Sequence, residues 1–328
     1  MSEDGTTALS TSVWSDNGKY LAYQIKVGGS DWATIKVRDA ETCKDLELDE
    51  LKWIKFSGMS WTKDNKGFFY SRFDAPKTLE KDSMDKAGTE TDKLKHQKVC
   101  YHRVGTPQSD DVVIYVDEAN PEWLFDGSVT NDGKYLLICA SKDCDHINLL
   151  SYIDLQAEEN KELKGILKPI PVISEWIGEF DYVQNHGTKM YFKTNLDAPK
   201  AKLISIDLAS PDRANWKDVI PESEKSVFDA VRCCNDKAMC AYLENASEKL
   251  RIYDFTTGQM TKEIEFPDIG SYVGWAGKHD SNEFFYKFSS FSDPGSQYRV
   301  NLDTFESEIV QITKLAPGSP DPSEFKTD

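Results

Sequence analysis

One short phrase recurs along the chain and limits the folds that the chain can form. Each copy has an apolar or aromatic start, a turn rich in Asn, Asp, Gly and Lys, and a second apolar segment. Asn, Asp and Gly tolerate the positive φ angles that tight turns between strands require, so each copy predicts a β-hairpin. Three clear copies begin at Trp14, Trp61 and Val129, and three weaker copies begin at Val183, Arg232 and Trp275.

A second pair of strands is predicted downstream of each phrase, because alternating side chains follow it. These segments are Ala33–Asp39, Val99–Val104, Leu149–Asp154, Lys202–Asp207, Leu250–Asp254 and Gln297–Leu302. Two hairpins per repeat make a four-stranded unit, and six such units at intervals of roughly 40 to 70 residues are typical of a β-propeller. We therefore predict an all-β protein, a β-propeller with six visible four-stranded blades. No long segment has the 3.6-residue period of a helix, which argues against bundles and doubly wound folds.

The propeller is predicted to span residues 1–314, and two segments interrupt or follow its strand pattern. Residues 75–97 form a charged insertion without a strand period, which predicts a solvated loop; a protein-binding loop is the alternative. Residues 315–328 begin with three closely spaced prolines and read as an exit linker.

Charge and cysteine content bear on partners and compartment. The chain has 39 basic and 56 acidic residues, a net charge of −17, which disfavours nucleic acid and anionic membranes as partners. The first residues lack the basic and apolar parts of a secretory signal, and no apolar run is long enough to span a membrane. Seven cysteines without a CxxC pair suit reduced thiols. We expect a cytoplasmic protein.

The sequence offers no catalytic or metal-binding motif. It has no G-x-S-x-G nucleophile elbow and no HExxH. The trio Cys144, Asp145 and His146 reads as a loop tip, because adjacent residues of an extended segment point to opposite faces. We therefore predict no catalytic residue, no metal and no cofactor, and no activity from this chain alone. A complete propeller enzyme, such as a lactonase or glycosidase, would need convergent acidic or metal-binding side chains in its channel.

Two further groups of residues are interpreted as packing. Trp14, Trp61 and Trp275 occupy one place in the repeat and are predicted to lie in the core. Of the adjacent Cys233 and Cys234, one is expected to point into the blade and the other outward, without a redox role.

Several segments, in order along nearly the whole chain, closely resemble the propeller domain of the prolyl oligopeptidase family. They include Gly29–Lys36, Trp61–Gly67, Tyr101–Thr106, Phe180–Val183 and Ser289–Gly295. The resemblance implies a seven-bladed propeller over an α/β-hydrolase domain with a Ser-Asp-His triad that cleaves short peptides after proline. Some members of the family cyclise peptides instead.

The resemblance also predicts what is missing from the chain. It begins at the family's second blade, and no segment resembles the hydrolase domain. We therefore expect the first blade and the hydrolase domain to be absent. A propeller without one blade would expose apolar blade faces, so we expect either closure with six blades or self-association through the missing-blade gap.

The resemblance implies a set of site residues and partners. Phe180, Lys200 and Asp117 fall at positions that border the substrate pocket in the family. Lys142, Asp143, Cys144 and Asp145 fall in a mobile loop that gates substrate entry; an ordinary blade connection is the alternative. The implied partners are peptides or an α/β-hydrolase domain. Our hypothesis is a non-catalytic propeller portion that gates and size-selects peptides, and the alternative is a free-standing module that binds proteins or peptides.

Overall fold

The structure, a computed structural model, describes residues 5–77 and 94–316 together with residues 2, 88, 318 and 319. These residues form six antiparallel sheets, and each sheet consists of four consecutive strands in chain order. We number the sheets blade 1 to blade 6. The predicted all-β fold, a β-propeller with six four-stranded blades, is confirmed.

The strands of the first three blades have the following bounds. Blade 1 contains β1 (Thr7–Trp14), β2 (Tyr20–Val27), β3 (Ala33–Asp39) and β4 (Asp45–Ile54). Blade 2 contains β5 (Met59–Trp61), β6 (Gly67–Arg72), β7 (Lys98–Arg103) and β8 (Val112–Tyr115). Blade 3 contains β9 (Leu124–Val129), β10 (Tyr135–Ser141), β11 (Leu149–Asp154) and β12 (Ile170–Ile173).

The last three blades repeat this arrangement. Blade 4 contains β13 (Phe180–His186), β14 (Lys189–Thr194), β15 (Lys202–Asp207) and β16 (Lys217–Ile220). Blade 5 contains β17 (Val227–Cys234), β18 (Lys237–Glu244), β19 (Ser247–Asp254) and β20 (Met260–Ile264). Blade 6 contains β21 (Gly270–Gly277), β22 (Glu283–Ser290), β23 (Ser296–Asn301) and β24 (Ser307–Ile312). Short 3-10 helices lie at Gln108–Asp110 and Arg213–Asn215.

The recurring phrase forms the first hairpin of each blade, as predicted. Its turn residues have positive φ at Gly18, Asn65, Gly133, Gly187 and Asn235. A hydroxyl donates to a side-chain oxygen two residues later in the first three copies, from Ser15 to Asn17, from Thr62 to Asp64 and from Thr130 to Asp132, at 2.7 to 2.8 Å. These local bonds fix the turns, because they hold polar side chains against the turn backbone.

The chain divides into two compact units, Met1–Ile177 with blades 1 to 3 and Gly178–Asp328 with blades 4 to 6. Within the first unit, β6 is buried on both faces. Phe68 packs with Ile54 and Trp61 between blades 1 and 2. Its neighbour Phe69 packs with Leu136 between blades 2 and 3. The middle of this strand is a continuous apolar run rather than an alternating pattern, because blade 2 has a neighbour on each side and must bury both faces.

The second unit is built in the same way. Ile220 of blade 4 packs in one cluster with Phe228 and Tyr242 of blade 5. Ile264 of blade 5 packs with Phe284 and other aromatic side chains of blade 6. Burying an aliphatic side chain of this size contributes about 1.5–3 kcal/mol, so each of these two interfaces is a substantial part of the core of the second unit.

Two packing predictions need correction. Trp61 is 7% exposed and Trp275 packs partly buried against its cluster, but Trp14 is 55% exposed. Cys233 and Cys234 are both buried, although one was expected to point outward. They lie in different clusters, because the two faces of blade 5 are covered by different neighbours.

The two predicted segments without strands lie largely outside the described residues. Residues 78–87 and 89–93 of the charged insertion, and residues 317 and 320–328 of the predicted linker, are not among them. Gln97, which we assigned to the solvated insertion, is wholly buried. Its amide donates to the carbonyl oxygens of Lys55 and Phe56, and its Oε1 accepts from the Phe125 amide at 2.7 Å. Gln97 thus ties blade 2 to the segments on either side.

A pair of tryptophan substitutions tests the interface packing. We expect Trp61→Ala to lower the free energy of unfolding by about 3–5 kcal/mol, because it leaves a cavity between blades 1 and 2. Trp14→Ala, its matched control at the same place in the repeat, should cost less than about 1 kcal/mol. Urea unfolding followed by circular dichroism measures both. Equal losses for the two variants would contradict the assignment.

Candidate functional site

The predicted site residues all lie at one end of their own blades. Strands alternate in direction, so the loop from second to third strand and the connection from fourth strand to the next blade leave a blade at the same end; we call it the connector end. In the first unit, Asp117 lies between β8 and β9, and residues 142–145 lie between β10 and β11. In the second unit, Phe180 begins β13, and Lys200 lies between β14 and β15.

Asp117 is engaged by its own loop. Its carboxylate accepts the backbone amides of Ala119 and Asn120 at 2.8 and 3.1 Å and the Asn120 side-chain amide at 2.9 Å. Three donors orient the carboxylate and fix the short connection before β9. Its role at a pocket edge stays a prediction.

The predicted gating loop is anchored at one side and exposed at its tip. The Lys142 ammonium lies 4.7 Å from the centre of the Trp176 ring, and Trp176 packs edge-on against Trp123. Such a cation–π contact contributes about 0.5–1 kcal/mol when it is exposed. Residues 143–145 are exposed, and Asp143 has a positive φ of 53°. Lys142 therefore holds its side of the loop by a weak contact, and the tip at residues 143–145 is exposed.

Phe180 and Lys200 have different surroundings within the second unit. Phe180 is 2% exposed and packs edge-on against Phe192 and Trp216. The Lys200 amide donates to the Glu222 carboxylate at 2.7 Å, and its ammonium donates to the Glu224 carbonyl. The structure places Phe180 as a core side chain beneath the connector end and Lys200 as part of the surface.

Sequence reasoning missed a buried charged cluster between blades 1 and 2. The side chains of His102, Asp49 and Asp111 are fully buried. The two ring nitrogens of His102 lie 2.7 Å from Asp111 Oδ1 and 3.0 Å from Asp49 Oδ1. Because both nitrogens face carboxylates, both can donate only in the protonated imidazolium. We call these three residues the Asp–His–Asp cluster.

Further donors complete the Asp–His–Asp cluster. The Gly105 amide donates to both oxygens of Asp49 at 2.9 and 3.1 Å, and the Tyr70 hydroxyl donates to Asp111 at 2.6 Å. Gly105 has a φ of 84°, a conformation that glycine adopts without strain. Burial alone lowers the pKa of His102, but the hydrogen bonds that its ring donates to Asp111 and Asp49 outweigh it and raise the pKa to about 9.

A pattern in the sequence could have indicated this cluster. Asp49 alternates with Leu51 and Trp53 along β4, and His102 alternates with Cys100 along β7. Those apolar neighbours are buried, so both ionisable side chains stand at inward-facing positions of adjacent blades. A buried His and a buried Asp on facing surfaces predict a pair, because an isolated buried charge is costly. The Asp–His–Asp cluster is buried in the interface between blades 1 and 2, where a substrate in solution does not reach it.

The raised pKa of His102 predicts a loss of stability at alkaline pH. The histidine pKa is about 6.5 in an unfolded chain and about 9 in the fold, so the contribution is complete below 6.5 and disappears as pH rises through 9. The loss is on the order of 3 kcal/mol. Thermal unfolding from pH 6 to 10 measures it.

A variant isolates the His102 contribution from other titrating groups. We expect His102→Gln to be less stable at pH 6.5 and to lose the part of the pH slope that belongs to the imidazole. His186→Gln, at an exposed histidine at the end of β13, is the control and should keep the full slope. An unchanged slope in His102→Gln would rule out a protonated His102.

The described residues contain no group of three or more His, Cys, Asp or Glu side chains placed to hold a metal ion. Within the same residues, no helix has the length and apolar character to cross a membrane.

Comparison with known proteins gives one consistent result. Residues 1–313 match the family model of the prolyl oligopeptidase N-terminal beta-propeller domain. The chain is 32% identical over 335 residues to the dual function macrocyclase-peptidase POPB of Galerina marginata, and 34% identical over 329 residues to prolyl oligopeptidase A of Amanita bisporigera. These alignments cover 98% and 96% of this chain but only 44% and 42% of the relatives.

Solved structures agree with the sequence comparison. Prolyl oligopeptidase B from Galerina marginata, bound to a 25mer macrocyclization substrate, superimposes with a TM-score of 0.85 at 29% identity. That match covers 98% of this chain and 44% of the other. The chain thus spans less than half the length of the relatives that it matches. The chain belongs to the prolyl oligopeptidase family, and it contains blades of that family's N-terminal β-propeller domain.

Proposed function

We propose that this chain is the non-catalytic propeller portion of a prolyl-oligopeptidase-like serine peptidase, in which it gates and size-selects peptide substrates. The match of residues 1–313 to the family's propeller domain carries the proposal. The location of Asp117, Phe180, Lys200 and residues 142–145 at the connector ends of their blades supports it. In this role the partners are peptides and an α/β-hydrolase domain supplied by another segment or chain.

The gating loop gives the proposal a mechanism. The Lys142 contact with Trp176 holds one side of the loop, and the exposed tip at residues 143–145 is free to contact a peptide or a neighbouring domain. A weak contact suits a gate, because opening the loop then requires little free energy. We further propose that residues 315–328 lead out of a propeller formed by residues 1–314, that the protein acts in the cytoplasm, and that copies of the chain associate through exposed blade faces.

A free-standing module that binds proteins or peptides is the second candidate. Phe291, in the loop between β22 and β23 at the connector end of blade 6, is fully exposed. An exposed large aromatic side chain at a loop tip suits an interface, because its burial would contribute to binding. The same residue also suits contact with a hydrolase domain. Binding of the chain to proteins other than a hydrolase domain would favour the second candidate.

Catalysis is assigned to a partner domain, so the chain alone should be inactive. We expect the purified chain to release no chromophore from a short proline-containing chromogenic peptide above the buffer rate. The assay should be run beside an intact family enzyme as a positive control. Turnover by the pure chain that a serine-directed inhibitor abolishes would contradict the proposal.

A chimaera tests the gate itself. This chain replaces the matching segment of prolyl oligopeptidase B from Galerina marginata, and turnover is compared between a short peptide and the 35mer substrate with which that enzyme has been solved. We expect Lys142→Ala to increase turnover of the 35mer several-fold and to change that of the short peptide little, because the loop loses its contact with Trp176.

Lys134→Ala is the matched control for the gate. Lys134 makes a similar contact with Tyr135, 4.9 Å from the ring centre, but it lies in the turn between β9 and β10, at the opposite end of blade 3. We expect this variant to leave both rates unchanged. Equal effects of the two substitutions would reject a gating role for residues 142–145.

A further inference from the structure

Three of the blades share one feature that the last blade lacks. In blades 1, 4 and 5, an isoleucine at the end of the outer strand pairs with the first apolar residue of the third strand and packs under the next blade. These residues, Ile54, Ile220 and Ile264, are at most 5% exposed. Ile312 of β24 has the same place in the register, opposite Ser296, but is 61% exposed. Blade 6 therefore presents an uncovered face of the type that blades bury.

Blade 1 presents the complementary face. Trp61 of blade 2 packs with Ile54 of blade 1, and its indole nitrogen donates to the Val13 carbonyl at 3.0 Å. Trp14 has the same place in the repeat on blade 1 and is 55% exposed. The chain thus has the two surfaces of one more interface of this kind. One surface carries Ile312, in the place of Ile54, and the other carries Trp14, in the place of Trp61.

The two strands that carry these residues are low in charge, although 29% of the chain is charged. β1 has no charged residue, and the one charged residue of β24, Glu308, pairs with Arg299. β24 also exposes Ile309 and Val310. Exposed strands of soluble proteins are usually protected by charges, so the exposed apolar side chains of β24, and the exposed Trp14 on uncharged β1, indicate surfaces suited to being covered.

We propose that the chain self-associates head to tail, with the Ile312 face of blade 6 in one copy packed on the Trp14 face of blade 1 in the next. This interface repeats between copies the contact that Ile54 and Trp61 make within one copy. It is heterologous, because the two copies contribute different surfaces, so each copy keeps one free face after the first contact. The inference rests on the self-association proposed above and is independent of the gating role.

Complementary variants test this arrangement by sedimentation velocity and light scattering. The wild-type chain should exceed its monomer mass of 37.2 kDa as concentration rises. Trp14→Glu and Ile312→Glu should each remain monomeric, because each variant has lost one of the two different faces. An equimolar mixture of the two should form a species of about twice the monomer mass, because each variant supplies the face that the other lacks. Its formation also establishes that both variants are folded.

Further variants and outcomes decide between the possible pairings. The double variant should stay monomeric in every mixture, and Ile166→Glu, at an isoleucine that is 64% exposed elsewhere on blade 3, should associate like the wild type. A wild-type chain that is monomeric at all concentrations would overturn the proposal. So would a single variant that still dimerises with itself, since that result would show a symmetric interface. None of these masses depends on peptidase turnover, so failure of the gating role is measured separately.

Discussion

The structure depends on one packing constraint, which is that each four-stranded sheet has two apolar faces and must bury both. The strand β6 shows the constraint directly, since Phe68 packs toward blade 1 and Phe69 toward blade 3. A blade cannot satisfy it alone, because a single sheet buries neither face. Stability therefore resides in the contacts between successive blades. In the first and last blades the constraint is not fully met, because Trp14 and Ile312 are exposed.

Polar groups reinforce these contacts where they are fully paired. Gln97 satisfies its buried amide with partners on both sides of blade 2. The Asp–His–Asp cluster places a charged group in the interface between blades 1 and 2, where the two carboxylates and the imidazolium compensate one another. Such a cluster is stabilising only while all its members are present, because removal of one leaves an unpaired buried charge. It therefore adds a pH dependence to an otherwise apolar interface.

The repeat allowed the fold to be predicted, because hairpin turns and strand alternation are local properties of the chain. The six blades and the first-hairpin turns follow from residues such as Asn65 and Gly133. Burial at the ends of the array could not be predicted in this way. Trp14 and Trp61 are equivalent in the sequence, but only Trp61 has a preceding blade to cover it within the described chain. Cys234 is likewise buried by a neighbouring blade rather than by its own strand.

For the site residues, too, the location could be predicted from the sequence but the contacts could not. The connector-end location of Asp117 and Lys142 follows from blade topology, whereas the contact of Lys142 with Trp176 depends on a loop conformation that the sequence does not encode locally. Asp49 and His102 are 53 positions apart in the sequence, so their pairing can be recognised only from the packed interface between blades 1 and 2.

Hydrogen–deuterium exchange along the strands measures whether a blade is stable only where a neighbour covers its face. In dilute solution we expect fast exchange in β1 and β24 and slow exchange in β6 and β14, with protection of β1 and β24 appearing as the concentration rises. Protection of β1 and β24 equal to that of β6 in the dilute monomer would contradict this dependence on neighbouring blades.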